Sequence, residues 1–225
     1  MEYKQNLSSW CLTEIHNLDE QIRAIYSKIP EIERIGCFST LLSQYKTLLD
    51  FELFFYVFNA DYFVLLRQLI ESNIRYEIQY AAGRLYSVYN EGFKQLYGFY
   101  DSRGNRTKRK WDSLQSSIKL LNSEINNEYS NITQKLDIAS KDPAYGWWKD
   151  IRNAENHSDA AGICKFRLSF DDKNKVINDA QRFLLILQNI SGFIVKMESC
   201  FQMKINDLKE DVEQYLTDNM RVFPK

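Results

Sequence analysis

Near the start of the chain the apolar residues Leu7, Cys11, Ile15, Leu18, Ile22, Ile25 and Ile29 step by 4, 4, 3, 4, 3 and 4. That spacing draws a single apolar stripe along one helix, predicted over residues 3–29 and ending near Pro30. After Gly36 the chain from 39 to 100 is almost wholly helix-compatible, and it is too long and too apolar for one surface helix. Two or three helices are expected there. From Trp111 the apolar positions Leu114, Ile118, Leu121, Ile125, Tyr129, Ile132 and Leu136 again step by 3 and 4, predicting one long amphipathic helix. A last stripe, Ala180, Phe183, Leu187, Ile190, Ile194, Met197 and Phe201, alternates steps of 3 and 4 before the sequence turns polar after Ile205. This pattern predicts a packed helix with a more exposed continuation.

Between these stripes lie shorter signals. Asp101, Ser102, Gly104 and Asn105 carry turn chemistry, and a basic run follows them, so an exposed loop is expected at 101–110. Asp142 and Pro143 supply a cap and a first-turn residue for a new helix, which should end between Asp159 and Gly162. In "GICKFRLSF" polar and apolar residues alternate with period 2, predicting a short extended segment near 163–170. With no internal repeat and no low-complexity linker, the chain is expected to be one all-α domain over 1–225. Its form would be an up-down bundle of about five to seven helices with a core at about 40–200, and the N-terminal helix would pack onto that core.

Composition agrees with this picture and narrows the function. Only 8 Gly and 3 Pro break a chain that is 14% aromatic, which favours long helices around large buried rings. Lys and Arg (29) nearly cancel Asp and Glu (30), so no global field draws the protein to nucleic acid or to an anionic membrane. Any nucleic-acid contact must come from a local patch. The four cysteines, Cys11, Cys37, Cys164 and Cys200, show no metal-binding spacing and read as reduced thiols of a cytoplasmic protein. The most apolar stretch is interrupted by Glu52, Asn59, Asp61 and Arg67, which argues for a soluble core rather than a membrane span. Glu52 and Asp61 are expected at helix ends or interfaces, His16 at a surface, and Trp147 and Trp148 as packing anchors.

Two stretches carry candidate chemistry. The first is "RNAENH", residues 152–157. On a helix Asn153 and His157 share a face, whereas Arg152 and His157 differ by about 140° at roughly 100° per residue. Arg offers a planar fork of donors for phosphate oxygens, and His is the side chain whose proton moves most easily near neutral pH. The bland alternative is a polar helix end with Arg152 in a surface ion pair. The second stretch is "RGNRTKRKW", where Arg103, Arg106, Lys108, Arg109 and Lys110 lie beside Trp111. Such a loop could follow an RNA backbone while Trp111 stacks on a base, or Trp111 could turn into the core.

"IRNAENH" resembles the signature of the HEPN superfamily, helical domains of prokaryotic toxins, abortive-infection proteins and RNA-guided defence nucleases. That signature is Arg, four to six residues, then His, with a polar residue after the Arg; here Arg152, Asn153 and His157 fit it. Upstream, "LLRQLIE" is similar to the Arg-x-x-x-Glu pattern of several HEPN groups, through Arg67 and Glu71. The resemblance covers about residues 40–200 and implies a metal-independent endoribonuclease with no cofactor, acting as a homodimer with two motif helices across a two-fold axis. It implies catalytic roles for Arg152, Asn153 and His157, with Arg67 and Glu71 supporting them. An antitoxin or another defence-system partner is also implied, and a membrane is not. One group of the family carries a Tyr two residues after the His; Asp159 stands there in this chain, which argues against control through that residue. A HEPN-like module that binds nucleotides or partners without catalysis is the competing expectation.

Overall fold

The computed structural model describes residues 2–36, 39–98, 109–139, 151, 153, 159–170 and 172–220. Every element among them is an α-helix, as expected for an all-α bundle: α1 (Glu2–Gly36), α2 (Thr40–Glu71), α3 (Arg75–Tyr97), α4 (Lys110–Ile118), α5 (Ser123–Ala139), α6 (Ala160–Ser169) and α7 (Lys173–Met220).

Helix α2 is the centre of the bundle. Its buried positions include Leu48, Phe51, Phe55, Tyr62, Leu66 and Leu69 and reach round more than one face, because α1, α3, α4 and α7 all pack against it. This explains the unbroken apolar run, since a helix covered on several sides needs no polar stripe there. By length and composition alone, α2 and α7 would each be long and apolar enough to cross a membrane. Here both contribute to one buried cluster that runs from Cys11 to Phe201.

Helix α1 buries the predicted stripe through Cys11, Leu18 and Ile25, but it extends past Pro30 to Gly36. A proline within a helix leaves the carbonyl four residues earlier without its amide donor. Here that carbonyl belongs to Tyr26, which is 70% exposed, so water can take the donor's place. After a short connection, Ser39 caps α2, accepting from Leu42 N–H. At the other end of α2, Lys173 Nζ donates to the carbonyls of Ile70 and Ser72 at 2.8 and 2.7 Å. A cation thus meets the negative end of the helix dipole and satisfies terminal carbonyls.

The three residues Ser72–Ile74 return the chain along α2 as α3. Gly92 on α3 meets the ring of Phe58 on α2, and a Cβ at position 92 would lie 1.9 Å from a ring carbon. Only glycine admits that approach without moving the ring. Deeper in, Tyr62 OH donates to the Ala180 carbonyl at 2.8 Å and Tyr89 OH donates to Tyr62 OH at 3.3 Å. Phe183 stands edge-on to Tyr89 with ring centroids 4.5 Å apart. Two core tyrosines thereby satisfy their hydroxyls while joining α2, α3 and α7.

Two further sequence expectations need correction. The region 111–136 is two helices rather than one, because the chain turns at 119–122 and Asn122 Oδ1 accepts from Ile125 N–H at 3.0 Å. The segment near 163–170 is helical and not extended. Its alternation conceals a second pattern, Ile163, Phe166 and Phe170, at steps of 3 and 4. Phe166 is buried, with its ring 5.8 Å from that of Phe170. Asp159 starts this helix, its Oδ1 accepting from Ala161 N–H at 3.2 Å.

Candidate functional site

Arg67 and Glu71, one turn apart near the end of α2, form an ion pair with Nε to Oε1 at 2.9 Å. The same carboxylate oxygen accepts from Ser8 Oγ of α1 at 2.7 Å. Ser8 holds the Glu71 carboxyl below its ordinary pKa and Arg67 adds to that, against the opposing effect of burial. The arrangement fixes the Arg67 guanidinium beside α1 as a charge held in place. Next to it, burial foremost and the Glu14 carboxylate second push the Cys11 thiol up to about 12. A thiol so strongly protonated is a packing group and no nucleophile.

Of the motif residues, Asn153 is half-buried on helical backbone and its neighbour Ile151 is part of the core. Arg152 and His157 lie outside the described residues, as do the helix start at Asp142 and Pro143 and the tryptophans Trp147 and Trp148. Asp159, two places beyond His157, has its carboxylate committed to the N-terminus of α6.

The basic stretch divides. Arg103, Arg106 and Lys108 lie outside the described residues. Arg109 is 13% exposed, pairs with Asp112 at 2.8 Å and Asp137 at 3.4 Å, and lies over the Tyr97 ring. Lys110 Nζ lies 4.6 Å from the centroid of the Phe54 ring. Trp111 is fully buried, stacked on Tyr129 and edge-on to Phe51. Its indole N–H donates to Thr133 Oγ1 at 2.8 Å. A base-stacking role for Trp111 is therefore corrected: the ring is fully buried and its donor is used within the bundle, so it is an anchor for α4 and α5.

Glu52, expected at a helix end or an interface, is not at a helix end but faces Lys28 of α1 and Glu198 of α7. It sits mid-helix on α2, 1% exposed, and its Oε1 has no hydrogen-bond partner. Burial first and Glu198 second push its carboxyl up to about 8, with Lys28 opposing. His16 is exposed, as expected of a surface residue. Among the described residues no group of three His, Cys, Asp or Glu side chains converges as a metal site would require. Asp61, by contrast, borders an open groove between α2 and α3. The signal for that groove was present in the sequence as Leu53 and Val57 on the outward side of α2, with Asp61 one turn further on.

Comparison with models of protein families, with curated proteins and with solved structures gives no match to this chain.

Proposed function

We propose that this chain is a metal-independent endoribonuclease of HEPN type, working as a homodimer in the cytosol within a defence or toxin system. The observation that carries the reading is Arg152-Asn153 followed by His157 at the family's spacing. Its setting in an all-α bundle with an Arg67–Glu71 pair on the central helix supports it.

The chemistry follows from what RNA supplies. Its 2′-OH is an internal nucleophile, so no activated water is needed. In the proposed site a neutral His157 takes the 2′-OH proton while the 2′ oxygen attacks the adjacent phosphorus. The partner subunit's His157, protonated, gives a proton to the departing 5′ oxygen. Arg152 from each subunit balances the charge of the phosphorane between these steps. One P–O bond forms and one breaks, leaving a 2′,3′-cyclic phosphate and a 5′-OH. Asn153 orients the imidazole or the phosphate, and Glu71 holds Arg67 in position.

The test is cleavage of a defined RNA by purified protein in excess chelator. Cutting that persists under chelation and stops when a single 2′-deoxy nucleotide replaces the one at the cut site supports the proposal. Continued cutting of the 2′-deoxy substrate would overturn it. A protein that binds RNA yet leaves it intact would instead be a binding module.

A further inference from the structure

Helix α1 grips the bundle unevenly along its length. Towards its start it is held by buried Cys11, Leu18 and Ile25, by Trp10 edge-on to Phe63 with ring centroids 5.1 Å apart, and by Ser8 on Glu71. Beyond Ile25 no described residue of α1 is buried. Ile29 and Ile32 rest half-buried against the core. The polar contacts of this stretch include two surface ion pairs, Lys28 Nζ to Glu198 Oε1 of α7 at 3.7 Å and Lys46 Nζ of α2 to Glu33 Oε1 at 3.2 Å. Pro30 lies in the same stretch and leaves the Tyr26 carbonyl without an intrahelical donor. The helix is thus weakest where it is least held.

Glu52 faces this weak stretch. It is buried mid-helix on α2 with Oε1 unpartnered, and the charged groups facing it are Lys28 from α1 and Glu198 from α7. Tyr45 and Tyr56 of its own helix also sense it, and burial foremost pushes both hydroxyls up, so they stay neutral. A protonated carboxyl is tolerated in such a place. An ionised one has neither water nor a donor to replace it, and the cost grows with the charge. Moving 28–36 aside would let water reach the carboxylate while Cys11, Leu18 and Ile25 keep their places.

We propose that residues 28–36 of α1 are a proton-controlled flap over Glu52, hinged beside Pro30, closed while the Glu52 carboxyl holds its proton and opening when that proton leaves. The inference does not depend on the ribonuclease reading. Its sign follows from linkage: the closed form binds the proton more tightly than the open one, so closure is strongest in acid and weakens as pH rises to about 8. Above that value both forms are ionised, and the balance no longer moves.

Hydrogen exchange read by mass spectrometry on the full-length chain tests this, from about pH 5.5 to about pH 8.5 with times scaled for the intrinsic rate. Protection over 28–36 is expected to lie below that over 10–22 throughout, to fall about tenfold per pH unit up to about pH 7.5, and then to level off. In Glu52→Gln the fall over 28–36 should vanish. Equal protection over the two segments would overturn the proposal, because α1 would then open only as one unit. So would protection over 28–36 that ignores pH in the wild type, or a fall retained in Glu52→Gln. If circular dichroism shows that Glu52→Gln is unfolded, Lys28→Met takes its place: loss of the opposing cation should carry the fall to higher pH, and an unshifted profile would overturn the proposal.

Discussion

Trp111 lies flat on Tyr129, with ring centroids 4.9 Å apart and 9° between their planes. In one straight helix their separation of 18 residues would place them about 27 Å apart. The stack therefore reports the fold-back of α5 on α4, and Tyr129 OH reinforces it by donating to the Trp111 carbonyl at 3.3 Å. Trp111→Ala is expected to lower the free energy of unfolding by about 3–5 kcal/mol, as for other fully buried large aromatics. Trp111→Phe keeps the ring stack but leaves Thr133 Oγ1 without its indole donor, and should cost about 1–2 kcal/mol. Urea denaturation measures both. Wild-type stability for Trp111→Ala would mean that the ring is not the anchor described.

Glu52 makes stability depend on pH in the direction opposite to most carboxylates. Its folded pKa of about 8 lies above its ordinary value, so between about pH 4.5 and 8 the folded chain holds a proton that the unfolded chain has released. Over that window each unit of rising pH costs up to about 1.4 kcal/mol of stability from this group. The groups facing it are Lys28 from α1, Glu198 from α7, and Tyr45 and Tyr56 from its own helix. Glu52→Gln should flatten the fall in melting temperature between pH 5 and 8 and should be more stable than the wild type at pH 8. An unchanged pH profile would contradict a buried carboxyl whose Oε1 lacks a hydrogen-bond partner.

The Ser8–Glu71–Arg67 contact is half-exposed and should matter little for stability. Because the Glu71 carboxyl is held below its ordinary pKa, its contribution is present above the unfolded value and fades as pH falls through the folded one. Glu71→Gln is expected to cost under about 1 kcal/mol near neutral pH and still less at pH 3. If Glu71 positions Arg67 for RNA, cleavage should fall in this variant by more than the loss of folded protein explains. Parallel denaturation and RNA cleavage assays separate the two effects.

The sequence disclosed the helices where a single stripe governed packing. The stripes of α1 and α7 run through Leu18 and Ile194 as their spacing predicts, and both residues are buried. It concealed the α4/α5 turn because Ile118, Leu121 and Ile125 keep helical spacing across the break, so the apolar period carries no mark of it. At α6 a period of 2 and a period of 3.6 coincide over a few residues, and the Asp159 cap decides for helix. The Arg67–Glu71 pair was legible because i and i+4 residues share a face. Ser8 was not, since its contact with Glu71 crosses 63 residues of chain. The burial of Trp111 and Arg109 also depended on partners distant in sequence, Tyr129, Phe193 and Asp137, which local composition does not reveal.

The central claim concerns His157, and the most direct measurement compares wild type and His157→Ala on one RNA in excess chelator, with the product ends identified by mass. The account expects 2′,3′-cyclic phosphate and 5′-OH ends from the wild type and at least about a hundredfold slower cutting by the variant. Cutting by His157→Ala at the wild-type rate, or products that carry 3′-OH and 5′-phosphate ends, would contradict it.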